Sequence, residues 1–209
     1  RRRLFEPEHD DFRASFRTFL EREVVPHHAQ WERDGIVPRE LYAAAGEHGF
    51  TAMAVPEEHG GAGVEDFRFN VVIGEEVQRA GVSGFGLGLT LHNDICAPYF
   101  LAYCSEEQRA RWLPDMLGGE LLGAYCLSEP QSGSDAAALQ TRAVHDGDVY
   151  VVTGTKAWIT HGGVADFYNL MVRTSDDGAR GISCLLADAS TTGLSSSKEA
   201  SDLALLSLE

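Results

Sequence analysis

Ala124-Tyr125-Cys126-Leu127-Ser128-Glu129-Pro130-Gln131-Ser132-Gly133-Ser134-Asp135 begins as a strand and breaks into a loop of small and hydroxyl-bearing residues. Gly133 lets a backbone come close to a ligand, and the N–H and hydroxyl of Ser134 can then meet a phosphate or carbonyl oxygen. The same composition also describes a plain surface turn. The stretch follows the point, after Glu120, where the hydrophobic period of the chain changes from that of helices to that of strands.

Upstream, Phe12, Phe16, Phe19, Leu20 and Val24 fall at helical spacing and predict an amphipathic helix over 8–29, with Pro26 marking the end of its regular turns. Pro38 suits a first helical position and Gly49 a stop, which brackets a short second helix around Leu41-Tyr42-Ala43-Ala44-Ala45. Residues 50–55 read as extended chain and Pro56-Glu57-Glu58-His59-Gly60-Gly61 as turns; a helix over 64–80, stopped by Gly81, comes next. An apolar segment covers 86–104. Ser105 and Gln108 form a capping box for a helix running to Leu117 and Gly118, disturbed by Pro114.

Downstream, β-branched and alternating residues predict strands over 121–127, 141–144, 149–153, 167–172 and 182–186. Asp146-Gly147 and Asp177-Gly178 supply tight turns between them, since glycine accepts positive φ at little cost. Helices first and strands second make an α+β chain: an all-α N-terminal domain over 1–119, then a mainly antiparallel β-domain, barrel- or sandwich-like, over 120–209.

A second stretch, Gly154-Thr155-Lys156-Ala157-Trp158-Ile159-Thr160-His161-Gly162-Gly163, sets a large aromatic beside a hydroxyl between glycine-bearing turns. A planar cofactor can lie against Trp158 while Thr160 donates to it; a tryptophan in the core of a strand reads the same way. Neither stretch matches GxGxxG or GxxxxGK[ST], so neither a dinucleotide fold nor a nucleotide hydrolase is indicated.

The formal net charge of −15 over 209 residues, with 17 Lys and Arg against 32 acids, opposes nucleic-acid binding. No run approaches the roughly 18 apolar residues of a membrane span. Cys96, Cys104, Cys126 and Cys184 lack the spacing of a zinc site or a disulfide framework, which suits reduced thiols and a cytoplasmic protein with no metal ligands. The chain begins with Arg1 rather than Met.

Together the two stretches resemble the acyl-CoA dehydrogenase family. Cys126-Leu127-Ser128-Glu129 followed by Ser132-Gly133-Ser134-Asp135 is similar to its first signature, Lys156-Ala157-Trp158-Ile159-Thr160 to its second flavin segment, and Pro56-Glu57 with Gly60-Gly61 to an early loop. The resemblance fades after about Gly193, and 191–209 look little like continuing strands of the family. It implies FAD as cofactor, with Tyr125, Leu127 and Ser128 along the flavin ring and the Ser128 hydroxyl near its pyrimidine carbonyl. Gly133 and Ser134 would lie where pyrophosphate and substrate meet, Ser134 touching both, and Trp158, Ile159 and Thr160 would cover the far face of the ring. Glu129 belongs to the loop scaffold by the same resemblance, while His161, where the family usually has Asn, takes no role and reads as a solvated turn residue.

The reaction implied is α,β-dehydrogenation of an acyl-CoA thioester, with an electron-transfer flavoprotein as acceptor and a homo-oligomer or complementing subunit as the working form. In the family the proton-abstracting carboxylate comes from a C-terminal helical bundle, so no catalytic residue is expected here and the chain reads as truncated, frameshifted or split, inactive alone. A non-catalytic module that completes a partner's site, and an oxidase or monooxygenase on the same scaffold, are the other readings. Gly86, Gly88, Thr90 and Asn93 would border the acyl cavity or simply ease helix packing.

Overall fold

The computed structural model describes residues 4–198 and 204–208. The chain divides into two compact units, Arg1–Leu121 and Leu122–Glu209. Among the described residues, no helix is long and apolar enough to cross a membrane.

The first unit is helical. Helix α1 (Pro7–Phe19) runs through a π turn (Leu20–Val24) into α2 (Val25–Asp34), which stops at Gly35 in the left-handed conformation, φ 66°. The expectation that Pro26 ends the helix is therefore corrected. Proline lacks an N–H and crowds the carbonyl four residues back, here that of Arg22; a wider turn just before it accommodates both defects without ending the rod. The same arrangement recurs where α5 (Ser83–Thr90) passes through a π turn (Leu91–Cys96) into α6 (Ala97–Tyr103), whose second residue is Pro98. The apolar run over 86–104 is thus helical up to Tyr103.

Among the described residues the unit also holds α3 (Arg39–Glu47), α4 (Arg68–Ala80) and α7 (Glu106–Leu117), with a 3₁₀ turn at Glu57–His59. Helix α4 starts later than its hydrophobic period suggests, because the Asp66 carboxylate accepts the Arg68 N–H at 3.0 Å and takes the guanidinium as well. The Ser105 capping box forms as expected, with Gln108 N–H donating to Ser105 Oγ at 3.2 Å and Ser105 N–H to Gln108 Oε1 at 2.9 Å. Residues 50–55 are not extended. They turn tightly, with Ala52 at φ 46°, and buried Asn93 holds them: its Oδ1 accepts Ala52 N–H at 2.7 Å and its Nδ2 donates to Phe50 O at 2.8 Å. Phe50 then packs edge-on against Phe16 and Phe19, ring centroids 4.9 and 5.4 Å away.

The second unit carries seven strands among its described residues: β1 (Gly123–Cys126), β2 (Arg142–Asp146), β3 (Val149–Ile159), β4 (Phe167–Arg173), β5 (Ile182–Asp188), β6 (Leu194–Lys198) and β7 (Ala204–Leu208). The sheet is mainly antiparallel, as expected, with four antiparallel and two parallel pairings among its described strands, but it is open, which corrects the expectation of a barrel. Strand β4 pairs β1 in parallel and β5 antiparallel, and a bridge from Arg173 to Arg142 joins it in parallel to the β2–β3 hairpin. Strand β3 outruns the hairpin and pairs along its second half with β7, which pairs β6. The chain returns to β4 through the turns after Ile159, and that crossing makes β1 and β4 parallel.

Strands β6 and β7 overturn the reading of 191–209 as unlike strands over 194–198 and 204–208, while 199–203 and 209 lie outside the described residues. Ser195-Ser196-Ser197 has neither alternation nor β-branching; the run is a strand because β7 supplies its ladder, a tertiary cause. Asp177-Gly178 leads into a 3₁₀ turn (Gly178–Gly181) rather than a bare two-residue turn. The core of this unit gathers Ala124, Cys126, Ala143, Ile159, Ala165, Tyr168, Leu170 and Val172.

Candidate functional site

Strand alternation sorts the first stretch. Ala124 and Cys126 point into the core, so Tyr125 and Leu127 stand on the other face, half-buried. Beyond the strand, Glu129 and Ser132 exchange backbone hydrogen bonds of 2.7 and 3.0 Å, which close a tight turn, and Ser132 Oγ donates to Asp135 O at 2.7 Å. Gly133 and Ser134 are exposed on that turn.

In the second stretch the pairing of β3 with β7 shifts register between Lys156 and Ile159. Trp158, inside the bulge, takes φ 59° and is 49% exposed, between buried Ala157 and Ile159. A left-handed conformation costs an L-residue about 1–2 kcal/mol. Bulges re-aim side chains next to functional sites, and this one turns an indole outward. The Ile159 side chain goes into the core, so it meets any ligand through its backbone alone. Thr160 is half-buried.

The two stretches are joined. Ala157 N–H donates to Ser128 O at 2.9 Å. Lys156, 0% exposed, donates from Nζ to Glu129 Oε1 at 2.8 Å and to Leu127 O at 3.1 Å. Glu129, 1% exposed, also accepts Thr141 N–H on Oε1 at 2.9 Å, and on Oε2 Gln140 N–H and Gln131 Nε2, both at 2.6 Å. Burial alone would raise its carboxyl, but the Lys156 ammonium and the Gln140 and Thr141 amides hold it well below the usual carboxylate range. Burial pulls the Lys156 ammonium down from its ordinary value, against the pull of Glu129. Buried and engaged by four donors, Glu129 braces the loop against β3. Lys156 escaped the sequence reading: its signal was a single cation inside an otherwise uncharged strand, and its partner lies 27 residues away.

His161 corrects an expectation. It is half-buried at φ 63°, a conformation in which His and Asn are enriched, and its Nδ1 bonds Gly123 O at 3.0 Å. That carbonyl can only accept, so Nδ1 carries the proton, and the residue ties the turn after β3 to the start of β1. The hydroxyls of Ser128, Ser134 and Thr160 make no hydrogen bond to another described residue. A Cβ on Gly133 would meet no described atom within 4 Å, so the fold itself places no demand for glycine there. In the first unit Glu6, Glu8 and His9 group as metal ligands can, but His9 is otherwise engaged: its Nδ1 accepts Glu6 N–H at 3.2 Å and its Nε2 lies 3.3 Å from Asp66.

Known proteins resemble the chain over most of its length. The family described as acyl-CoA dehydrogenase, N-terminal domain, matches residues 6–120, and that described as acyl-CoA dehydrogenase, middle domain, matches 124–208. The second match runs well past Gly193, where the resemblance was expected to fade. The long-chain specific acyl-CoA dehydrogenase of Sus scrofa mitochondria is 38% identical over 195 residues, 92% of this chain and 45% of that protein. An acyl-CoA dehydrogenase structure from Geobacillus kaustophilus superposes with a TM-score of 0.93 at 40% identity, covering 99% of this chain and 56% of the other. A glutaryl-CoA dehydrogenase of Mycobacterium smegmatis in complex with FADH2 gives a TM-score of 0.89 at 29% identity, over 99% of this chain and 54% of that one. The chain spans about half the length of the curated relatives it matches.

Proposed function

Because the chain belongs to the acyl-CoA dehydrogenase family, matching its N-terminal and middle domains, we propose that it is the flavin-binding part of an FAD enzyme that dehydrogenates an acyl-CoA thioester between its α and β carbons. The observation that carries this reading is the joining of the two stretches: an ion pair, a lysine-to-carbonyl hydrogen bond and a backbone hydrogen bond lock together a loop with uncommitted hydroxyls and a strained, outward-turned indole.

The donor set suits the isoalloxazine ring and the pyrophosphate of FAD. Ser128 and Thr160 would offer their hydroxyls to the polar edge of the ring, while Tyr125, Leu127 and Trp158 would supply apolar surface and Ile159 backbone contact. Gly133 and Ser134 offer backbone N–H groups and a hydroxyl to phosphate or to the substrate, which a chain of net charge −15 needs, having few cations for the task. Bound FAD would take the β hydrogen of the acyl chain as hydride. The chain's own part is to bind, to orient and to exclude water from that ring; none of its carboxylates is assigned the proton abstraction, and Glu129 is read as scaffold because it is held in an ion pair.

The same reading includes an electron-transfer flavoprotein as electron acceptor and a homo-oligomer or complementing subunit as the working assembly. A cytoplasmic setting belongs to it too, supported by the spacing of the cysteines. The test is titration of the purified chain with FAD, followed in the visible absorption spectrum. Retention of one FAD per chain is expected; a chain that is folded by circular dichroism yet binds none would count against the reading.

A further inference from the structure

Glu129 and Lys156 lie outside the residues assigned to the flavin, yet they hold the two stretches together. An apolar pair of similar size packs as well as a buried ion pair or better, so packing alone does not account for charges at this point. A charged pair can instead act as a hub. The carboxylate collects donors from Gln131, Gln140, Thr141 and Lys156, and the ammonium reaches back to Leu127 O.

The place of that hub in the chain is informative. Lys156 is the last residue in register with β7 before the shift, and pairing resumes at Ile159. Between them Ala157 N–H bonds Ser128 O and Trp158 adopts φ 59°. A bulge that slips by one residue exchanges the faces of its side chains. A buried ammonium resists such a slip, because a step away from Glu129 leaves two charges unpaired.

We infer that the Glu129–Lys156 pair is a positioning device: it sets the phase of the β3 bulge, so that Trp158 faces outward, and fixes the Leu127–Ser134 loop to it. Both act as positioning residues, through the bulge and the loop they hold. The consequence for FAD rests on the proposed flavin reading; the consequence for Trp158 does not.

The test uses the whole chain labelled with fluorotryptophan, in parent form and as E129L/K156M, which removes the pair and leaves no buried charge behind. Circular dichroism and urea unfolding report the fold, and fluorine NMR reports each indole separately, Trp158 being assigned with Trp158→Phe. The expected result is a folded variant whose Trp158 resonance shifts or broadens while those of Trp31 and Trp112 stay, and whose FAD dissociation constant rises on the order of tenfold or more, as displaced binding groups give. An unmoved Trp158 resonance in the folded variant overturns the inference, whatever FAD does. If the parent binds no FAD, the flavin reading fails and the Trp158 comparison still decides the positioning role. Should E129L/K156M not fold, Glu129→Gln keeps the shape and weakens the pair: the same Trp158 change, smaller, is expected, and none overturns the inference.

Discussion

Gly133 separates the demands of the fold from those of a ligand. It is exposed, a Cβ there would have open space, and its φ is not left-handed. Gly133→Ala is therefore expected to leave stability within about 0.5 kcal/mol of the parent in urea. If the backbone at this turn approaches FAD as proposed, the same variant binds FAD more weakly in the absorption titration. Glu76 shows the opposite case, a charge that belongs wholly to the fold. It is buried on α4, where Arg13 donates to it at 3.0 Å, Arg17 at 2.8 and 2.9 Å and Arg79 at 2.7 Å. Burial pushes its carboxyl up, the three guanidinium groups overcome that, and the result lies at about 2, below the ordinary 4.5. A carboxyl depressed in the folded state stabilises above its unfolded value and loses that contribution as pH falls toward its folded one. The contribution is on the order of 3 kcal/mol. Glu76→Gln should thus lower the urea midpoint at pH 7 and flatten the loss of stability between about pH 4.5 and 2; an equally steep acid slope in the variant would assign that slope to other carboxyls.

Among the elements, α4 and α5 meet where glycine permits it. A Cβ on Gly86 would run into the side chain of Val77, so the absence of one lets α5 settle against α4. Of the two roles open to Gly86 on sequence grounds, packing is the one with a visible contact. Gly86→Ala should cost about 1–3 kcal/mol, the usual penalty for overpacking, and would be read as a lower urea midpoint with an unchanged slope. The two π turns belong to this scale as well: each precedes a proline by two residues and lets a helix continue where a local rule ends it. The β3 bulge is the strand counterpart, an irregularity that aims one side chain.

For the whole molecule, charge sets the behaviour in solution. With a net charge of −15 at pH 7 and a pI near 4.8, mutual repulsion opposes non-specific aggregation at neutral pH and vanishes near the pI. Light scattering should rise as pH is brought from 7 toward about 4.8. That onset precedes the loss of the Glu76 contribution, so aggregation and unfolding are separable along one pH titration; loss of helix signal before any scattering would contradict this order.

The order of helices and strands, the capping box at Ser105 and the two stretches around Ser128 and Trp158 were legible in the sequence, because period, caps and signature residues are local properties of a chain. What tertiary structure alone decided has a common physical cause, a partner far along the chain. Strands β6 and β7 exist through pairing with each other and with β3, and β1 is parallel to β4 because of where the connections run. The turn at Ala52 depends on Asn93, 41 residues on. Lys156 became visible when folding brought it to Glu129, since a buried charge is recognised by its partner and not by its neighbours in sequence.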